Sequence, residues 1–325
     1  MVQRSVIVNN IFDECISFKE KMLQLWQYQY ENNEVYKAWC DLINVETPAS
    51  FQEVPFLPIS FFKTHKVVSG SFNAEAVFES SGTTATVNSH HYIKEMALYQ
   101  QSFMQCFKLF YGDVKKWCVI GLLPAYLERK NSSLVVMVDA LIKESLHAQS
   151  GFYLYEFETV KDLLKTLEQQ KQKTLLIGVT FALLDLAELF PMRLQHTVIM
   201  ETGGMKGRRK ELTRQELHTI LCKRFGVDAI HSEYGMTELL SQAYSKGDGR
   251  YYCPPWMKVL VRDEEDPLAI KEQGRGVINI IDLANIDSCS FIATDDAGIV
   301  YEDGSFEILG RVDNSDIRGC SLLAL

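Results

Sequence analysis

From Tyr92 onward the chain alternates stretches of helical periodicity with short, continuous apolar runs, and that alternation narrows the fold more than any other feature. The runs at 117–122, 175–179, 197–200 and 227–231 have the length and composition of strands buried on both faces, while 161–170 and 213–224 carry helical spacing. Thr213 followed by Glu216 fits a capping box at the start of the second helix. Helix alternating with buried strand predicts an α/β fold: layered parallel sheets with helices on their faces. Phe12, Ile16, Met22, Leu23 and Trp26 recur near helical spacing, so the chain opens with helix over about 11–40. After about Tyr251 the pattern changes to shorter strand-like pieces at 258–261, 277–281 and 305–309, which predicts a β-rich C-terminal subdomain. No repeat and no Pro/Gly/Ser linker divides the sequence, so residues 1–310 read as one large domain and 311–325 as a tail.

Charge and cysteine usage exclude several functions. A net charge of −9 argues against a general nucleic-acid binder, which needs a basic face for phosphates. The eight cysteines are far apart with no C-x-x-C pair, and no H-E-x-x-H occurs. That spacing fits neither a zinc site nor a dense disulfide framework, and it predicts a reduced, cytoplasmic protein. The N-terminus lacks the pattern of a secretory signal. The best candidate for a membrane span, 174–190, is interrupted by Asp185 and Glu188.

Four segments carry residue types suited to chemistry. The first, Glu79 to Thr86, places five hydroxyl residues around Gly82, and a turn rich in N–H and O–H donors can wrap polyphosphate oxygens. No Walker A pattern occurs, and a Ser/Thr/Gly turn by itself is equally an ordinary surface connection. The second, Ser232 to Glu238, is expected directly after a buried strand and before a helix, the junction where α/β proteins hold ligands. An aromatic ring there can stack on a purine, and a carboxylate can hold magnesium; a core tyrosine beside a helix-starting glutamate is the structural alternative. The third, Thr202 to Lys210, pairs Gly203 and Gly204, which let a flat base lie against backbone, with a basic run that is also a common solvated loop. The fourth joins Thr294 to Gly298 with Gly310 to Asp313, a pairing that also reads as two turns.

In this order the four segments resemble the adenylate-forming superfamily of acyl-CoA synthetases, firefly-type luciferases and peptide-synthetase adenylation domains. Ser80 to Thr84 match its phosphate loop, Tyr234 to Glu238 its Y-G-x-T-E motif, Thr294 to Asp296 its T-G-D, and Gly310 to Asp313 its G-R-x-D hinge. Within it the chain looks most like the acyl-protein synthetases of bacterial luminescence operons (LuxE-type), on the residues 58–65, 123–129 and Arg318 to Leu322. That likeness runs from about residue 50 to the end.

The resemblance implies the fold of the large N-terminal domain of adenylate-forming enzymes, with ATP and Mg²⁺ as cofactors. It implies AMP-forming activation of a carboxylic acid, most simply a fatty acid, as an acyl-adenylate, followed by acyl transfer to a cysteine thiol. Ser80, Ser81, Gly82, Thr83 and Thr84 would hold the β- and γ-phosphates. Tyr234 and Gly235 would meet adenine, with Gly203 and Gly204 lining the opposite side. Thr237 would contact the α-phosphate, Glu238 would ligate Mg²⁺, and Asp296 would take the ribose hydroxyls with Arg311 close by. Cys320, in Arg318-Gly319-Cys320-Ser321, would be the acyl acceptor. The partner would be a small carboxylic acid, with room for a protein acyl acceptor or a reductase. An acyl- or aryl-CoA ligase, and a nucleotide-binding scaffold without turnover, share the same motifs and remain alternatives.

The sequence also departs from the superfamily pattern. Asp295 stands where the superfamily has glycine, and the segment from Gly310 to Gly319 is one residue shorter than the usual hinge motif. Because the sequence ends at Leu325, the expectation is that the mobile small domain and its catalytic lysine are absent.

Overall fold

The computed structural model describes residues 2–45, 47–80, 87–123, 131–203 and 212–312. It forms two compact units: Met1–Ser71 with Pro255–Leu325, here the split unit, and Phe72–Pro254, the continuous unit. The split unit begins with α1 (Arg4–Asn10), α2 (Phe18–Asn32) and α3 (Glu34–Leu42), followed by β1 (Leu57–Pro58) and α4 (Phe61–Thr64). The expected opening helix is thus three helices. Ser17 and Glu20 form a capping box that starts α2, and Met22, Leu25, Trp26 and Gln29 line its buried stripe at i, i+3, i+4 and i+7.

The continuous unit opens with the hairpin β2 (Ala76–Glu79) and β3 (His90–Ile93), then α5 (Met96–Tyr111), β4 (Cys118–Leu122) and α6 (Ser133–Ser145). It continues through β5 (Gly151–Phe152), α7 (Phe157–Gln169), β6 (Thr174–Gly178), α8 (Thr180–Leu189) and β7 (Thr197–Glu201). It closes with α9 (Arg214–Phe225), β8 (His231–Tyr234) and β9 (Ala243–Ser245). Strand order is β5-β4-β6-β7-β8-β9, parallel except for β9 at the edge. Every residue of β4 and β6 is buried, which is why both read as unbroken apolar runs. On one face Ile120, Leu176 and Ile199 pack against Val160, Leu163, Leu164 and Leu167 of α7, Leu183 of α8 and Leu221 of α9. The α7 residues fall at i, i+3, i+4 and i+7; truncating one such leucine to alanine costs about 2–5 kcal/mol.

Three of the four expected parallel strands lie within a residue of their predicted bounds, and the capping box of Thr213 and Glu216 starts α9 as expected. The fourth is corrected: 227–231 is not a strand, and β8 begins only at His231. The reason is local. Gly226 ends α9 in the left-handed conformation and the Val227 N–H returns to the Cys222 carbonyl, so the chain is still leaving the helix. Residues 174–190 form β6 and α8, and among the described residues no helix is long and apolar enough to cross a membrane.

The chain then returns to the split unit with β10 (Met257–Arg262), β11 (Ile270–Lys271), β12 (Gly274–Asp282), β13 (Phe291–Val300) and β14 (Phe306–Arg311). These five make the expected β-rich C-terminal part, in a sheet ordered β1-β13-β12-β10-β11 with β14 also on β13. It is antiparallel except where β1 joins β13. The sheet therefore shares its unit with the N-terminal helices.

Candidate active site

In an open parallel sheet the strand carboxyl ends leave backbone groups free for ligands. Here β7 and β8 are parallel neighbours, with Glu201 level with Ser232. The third and second sequence segments therefore leave the sheet side by side, Thr202-Gly203 after β7 and Tyr234-Gly235 after β8. The expectation of a helix after Tyr234 is corrected. Residues 235–242 connect β8 to β9, with a single turn closed by the Leu239 N–H on Met236 O, and β9 folds back so that Ala243 pairs with Tyr234. Residues 238–242 are all buried, a continuous burial that a surface helix with one wet face does not give.

Tyr234 is buried at 9 % exposure, its ring 5.7 Å from that of Tyr251 at 58°. Thr237 is half-buried and Glu238 is buried. The Thr237 carbonyl accepts a hydrogen bond from Nδ1 of His91, at 2.8 Å, which assigns the ring proton to that nitrogen. His91 is buried on β3, five residues past Thr86, the last residue of the hydroxyl-rich segment. That loop is pinched at its base: the Ser80 N–H donates to Ser89 O, and the Ser89 N–H donates to Ser80 Oγ at 2.9 Å. Ser80 Oγ keeps its own proton for donation. Ser81, Gly82, Thr83, Thr84, Gly204 and Cys320 lie outside the described residues.

Behind Gly203 is a cluster that sequence reasoning missed. Glu201, the last residue of β7, accepts the Gly203 N–H at 2.7 Å, and Gly203 sits at φ +75°, where a side chain is disfavoured. Arg214 Nε and His218 Nε2, one turn apart on α9, approach the Glu201 carboxylate at 3.8 and 3.7 Å. Ser232 Oγ lies 3.4 Å from the same His218 nitrogen. Burial alone would raise the Glu201 pKa; hydrogen bonds from His218, Ser232 and the Gly203 N–H, with the Arg214 charge, outweigh it and hold the carboxyl below its usual range. Although Ser, His and Glu meet here, this is no nucleophile relay. A relay uses opposite imidazole nitrogens for serine and carboxylate, whereas both partners share Nε2, and Ser232 is fully buried. Glu233 points its carboxylate under Gly235, where an added Cβ would collide with Oε1. Burial, and then the Glu201 charge, push its pKa up to about 8. A motif search finds neither glutamate, because each acquires its role only when β7 and β8 pair.

Asp296 and Arg311 belong to the split unit. Thr294 to Gly298 are not a turn; they lie inside β13, where Asp296 pairs in register with Arg311 of β14 and accepts its Nε–H at 3.3 Å. Strand alternation puts Thr294 and Asp296 on the buried side and Asp295 on the other. Arg262 donates to the Thr294 carbonyl at 2.6 Å and to Asn279 Oδ1 at 2.6 Å, fixing the strand beside the pair.

A divalent cation with phosphate ligands needs only one or two protein carboxylates. Glu238 is buried and carries a carboxylate, the hard oxygen donor that magnesium takes. Among the described residues no group of three or more His, Cys, Asp or Glu forms a dedicated metal cage.

The profile of the family described as acyl-protein synthetase, LuxE, matches residues 13–324, extending the likeness upstream of residue 50. The long-chain-fatty-acid–luciferin-component ligase of Vibrio harveyi is 22 % identical, aligning 91 % of this chain with 84 % of that protein. The protein of the same description from Aliivibrio fischeri is 24 % identical, over 96 % and 89 %. Among solved structures, a 2-hydroxyisobutyryl-CoA ligase in its postadenylation state with 2-HIB-AMP superposes with a TM-score of 0.63 at 13 % identity, over 91 % of this chain and 68 % of that one. ATP-bound MatB from Rhodopseudomonas palustris gives 0.55 at 17 % identity over 74 % of this chain, which spans about half (49 %) of that one. These likenesses establish the fold as that of the N-terminal domains of adenylate-forming enzymes.

Proposed function

The chain belongs to the LuxE acyl-protein synthetase family, a family of ligases, and we propose that it activates a long-chain fatty acid with ATP and passes the acyl group to a cysteine. The observation that carries this reading is the meeting of remote segments in one unit. The pinched hairpin of Ser80 and Ser89 is tied through His91 to the Thr237 carbonyl in the connection after β8, and β8 pairs with β7, the strand that leads to Gly203. That arrangement suits a nucleotide, with hydroxyl and N–H donors for phosphates at one end and an aromatic ring with open backbone for a base at the other.

In the first step a carboxylate oxygen bonds to the α-phosphorus as the bond to the β-phosphate oxygen breaks, releasing pyrophosphate. Two anions must meet, so positioning and charge neutralisation supply most of the rate. The hydroxyls of 80–84 would hold the β- and γ-phosphates, Thr237 the α-phosphate, Tyr234, Gly203 and Gly204 the adenine, and Asp296 with Arg311 the ribose. Glu238 would hold Mg²⁺, which when bound neutralises phosphate charge. In the second step the Cys320 thiolate attacks the acyl carbonyl; a thioester forms and AMP departs. The seven cysteines among the described residues are free thiols, which supports a reducing, cytoplasmic setting.

The test is ATP–pyrophosphate exchange with Mg²⁺ and a series of fatty acids, followed by labelled acid to detect hydroxylamine-sensitive acyl-protein. Fatty-acid-dependent exchange is expected, with Cys320→Ser abolishing the label and sparing exchange. No exchange with any acid would refute the activity. Label retained in Cys320→Ser would refute the acceptor, and free acyl-CoA as the product would favour a coenzyme A ligase.

A further inference from the structure

The cluster behind Gly203 reaches across to Tyr234. Glu201 holds the Gly203 N–H at 2.7 Å and meets Arg214 at 3.8 Å; the Arg214 guanidinium lies over the Tyr251 ring at 5.2 Å; and that ring packs at 5.7 Å against Tyr234. Further bonds fix the Gly203 end: the Thr180 N–H donates to the Gly203 carbonyl at 3.0 Å, and the Thr202 N–H to Gly178 O at 3.1 Å. At the other end Glu233 fills the space beneath Gly235. All of these residues belong to the continuous unit.

We propose that Glu201, Arg214 and Tyr251 are positioning residues that set the gap between Gly203 and the Tyr234 ring, and so select the nucleobase. The proposal rests on the reading of Gly203 and Tyr234 as the two sides of the base site. Three features favour a brace over ordinary packing. A buried carboxylate is costly unless its partners are fixed, and here the Gly203 N–H lies on one side and Arg214, through Tyr251, leads to the other. A guanidinium over an aromatic face is directional, so moving Arg214 tilts Tyr251 and the ring it supports. Arginine's planar fork also holds carboxylate and ring at one spacing, which the flexible point charge of lysine does not reproduce.

The test compares Glu201→Gln, Arg214→Met, Arg214→Lys and Tyr234→Ala in fatty-acid-dependent exchange, reading kcat and KM for ATP and for GTP, with Tm measured in parallel. Tyr234→Ala removes base stacking and should raise the KM for ATP about tenfold. Arg214→Met should raise it about fivefold or more, with kcat falling less, and should narrow the ATP-over-GTP ratio of kcat/KM by a similar factor. Glu201→Gln keeps an acceptor for the Gly203 N–H and should fall between Arg214→Met and wild type; Arg214→Lys should recover only part of the discrimination. A residue of purely structural role lowers Tm and the active fraction and leaves the ATP-to-GTP ratio unmoved. If Tyr234→Ala weakens ATP while the ratio in Arg214→Met and Glu201→Gln stays within twofold of wild type, a change of under about 0.4 kcal/mol, the brace is overturned and the base site stands. A silent Tyr234→Ala would refute the base site, and the brace with it.

Discussion

In the split unit, buried polar groups answer one another. Gln29 donates to the carbonyls of Asn285 and Ile286 and to Ser290 Oγ, and accepts the Ser290 N–H; Asn33 and Ser69 hold the Ser288 carbonyl; and Arg4 meets both oxygens of Asp287 at 2.6 Å. By this means residues 283–290, the irregular segment between β12 and β13, are buried throughout. In the continuous unit, by contrast, Glu201 and Glu233 stand at the ends of two paired strands, where the charge of the first raises the pKa of the second. Folding stability does not favour such crowding, and carboxylates pushed apart in pKa mark functional sites. Enclosed polar groups therefore mean different things in the two units: closure in one, poise in the other.

The largest expected effect tests closure. Gln29→Leu takes their partner from the buried Ser290 N–H and the Ile286 carbonyl, leaving the Asn285 carbonyl with Ser290 Oγ alone, and should destabilise the protein by about 3 kcal/mol. Denaturant unfolding measures this, while exchange per folded molecule stays near wild type. A stable Gln29→Leu, or one folded and inactive, would break the comparison.

Asp296 is where the split unit departs from closure, since its carboxylate pairs with a largely exposed Arg311. Asp296→Ala should raise the KM for ATP by about 1.5–3 kcal/mol, the worth of charge-assisted bonds to two hydroxyls. Asp295, on the opposite side of β13, is the control and should change less. The reverse order would shift the match to the superfamily by one residue.

Glu238→Gln sharpens the other side. It should lower exchange at limiting Mg²⁺ at least about tenfold, about 1.4 kcal/mol in the barrier, with little change in Tm. A large loss of Tm with exchange intact would make Glu238 a closure residue like Gln29.

These contrasts also explain what the sequence made legible. β4, β6 and β7 were readable because enclosed parallel strands carry apolar runs, and α9 because its capping box is local. β8 was misplaced because His231, Ser232 and Glu233 carry no apolar signal, and their burial comes from β7 and β9. Asp296 was visible as a motif and obscure as structure: Asp-Asp-Ala-Gly looks like a turn, and only pairing with β12 and β14 keeps it extended. Glu201, His91 and Arg214 were illegible for the same reason. Each touches a partner more than ten residues away, at a distance that no spacing rule encodes.

The last contrast concerns Glu233, and it reads the poise directly. Its pKa rises from 4.5 to about 8 in the folded protein, first through burial and then through the Glu201 charge. Between those values the folded state binds more protons than the unfolded one. The contribution to stability is therefore full below about pH 4.5, declines as pH rises, and is gone above about pH 8. Glu233→Gln cannot ionise, so it should match wild type near pH 5 and exceed it near pH 9. The gain should grow steadily across that window, because the amide cannot take on the charge that burial and Glu201 disfavour. His231 titrates with the opposite sign: burial, with Lys246 and His218, holds its pKa near 4, so stability falls as pH drops below 6.5. Both variant and wild type carry His231, so subtracting their unfolding free energies at each pH isolates Glu233. A difference independent of pH would mean that Glu233 is ionised throughout, paired as the split unit's carboxylates are, and the contrast between the units would lose its clearest case.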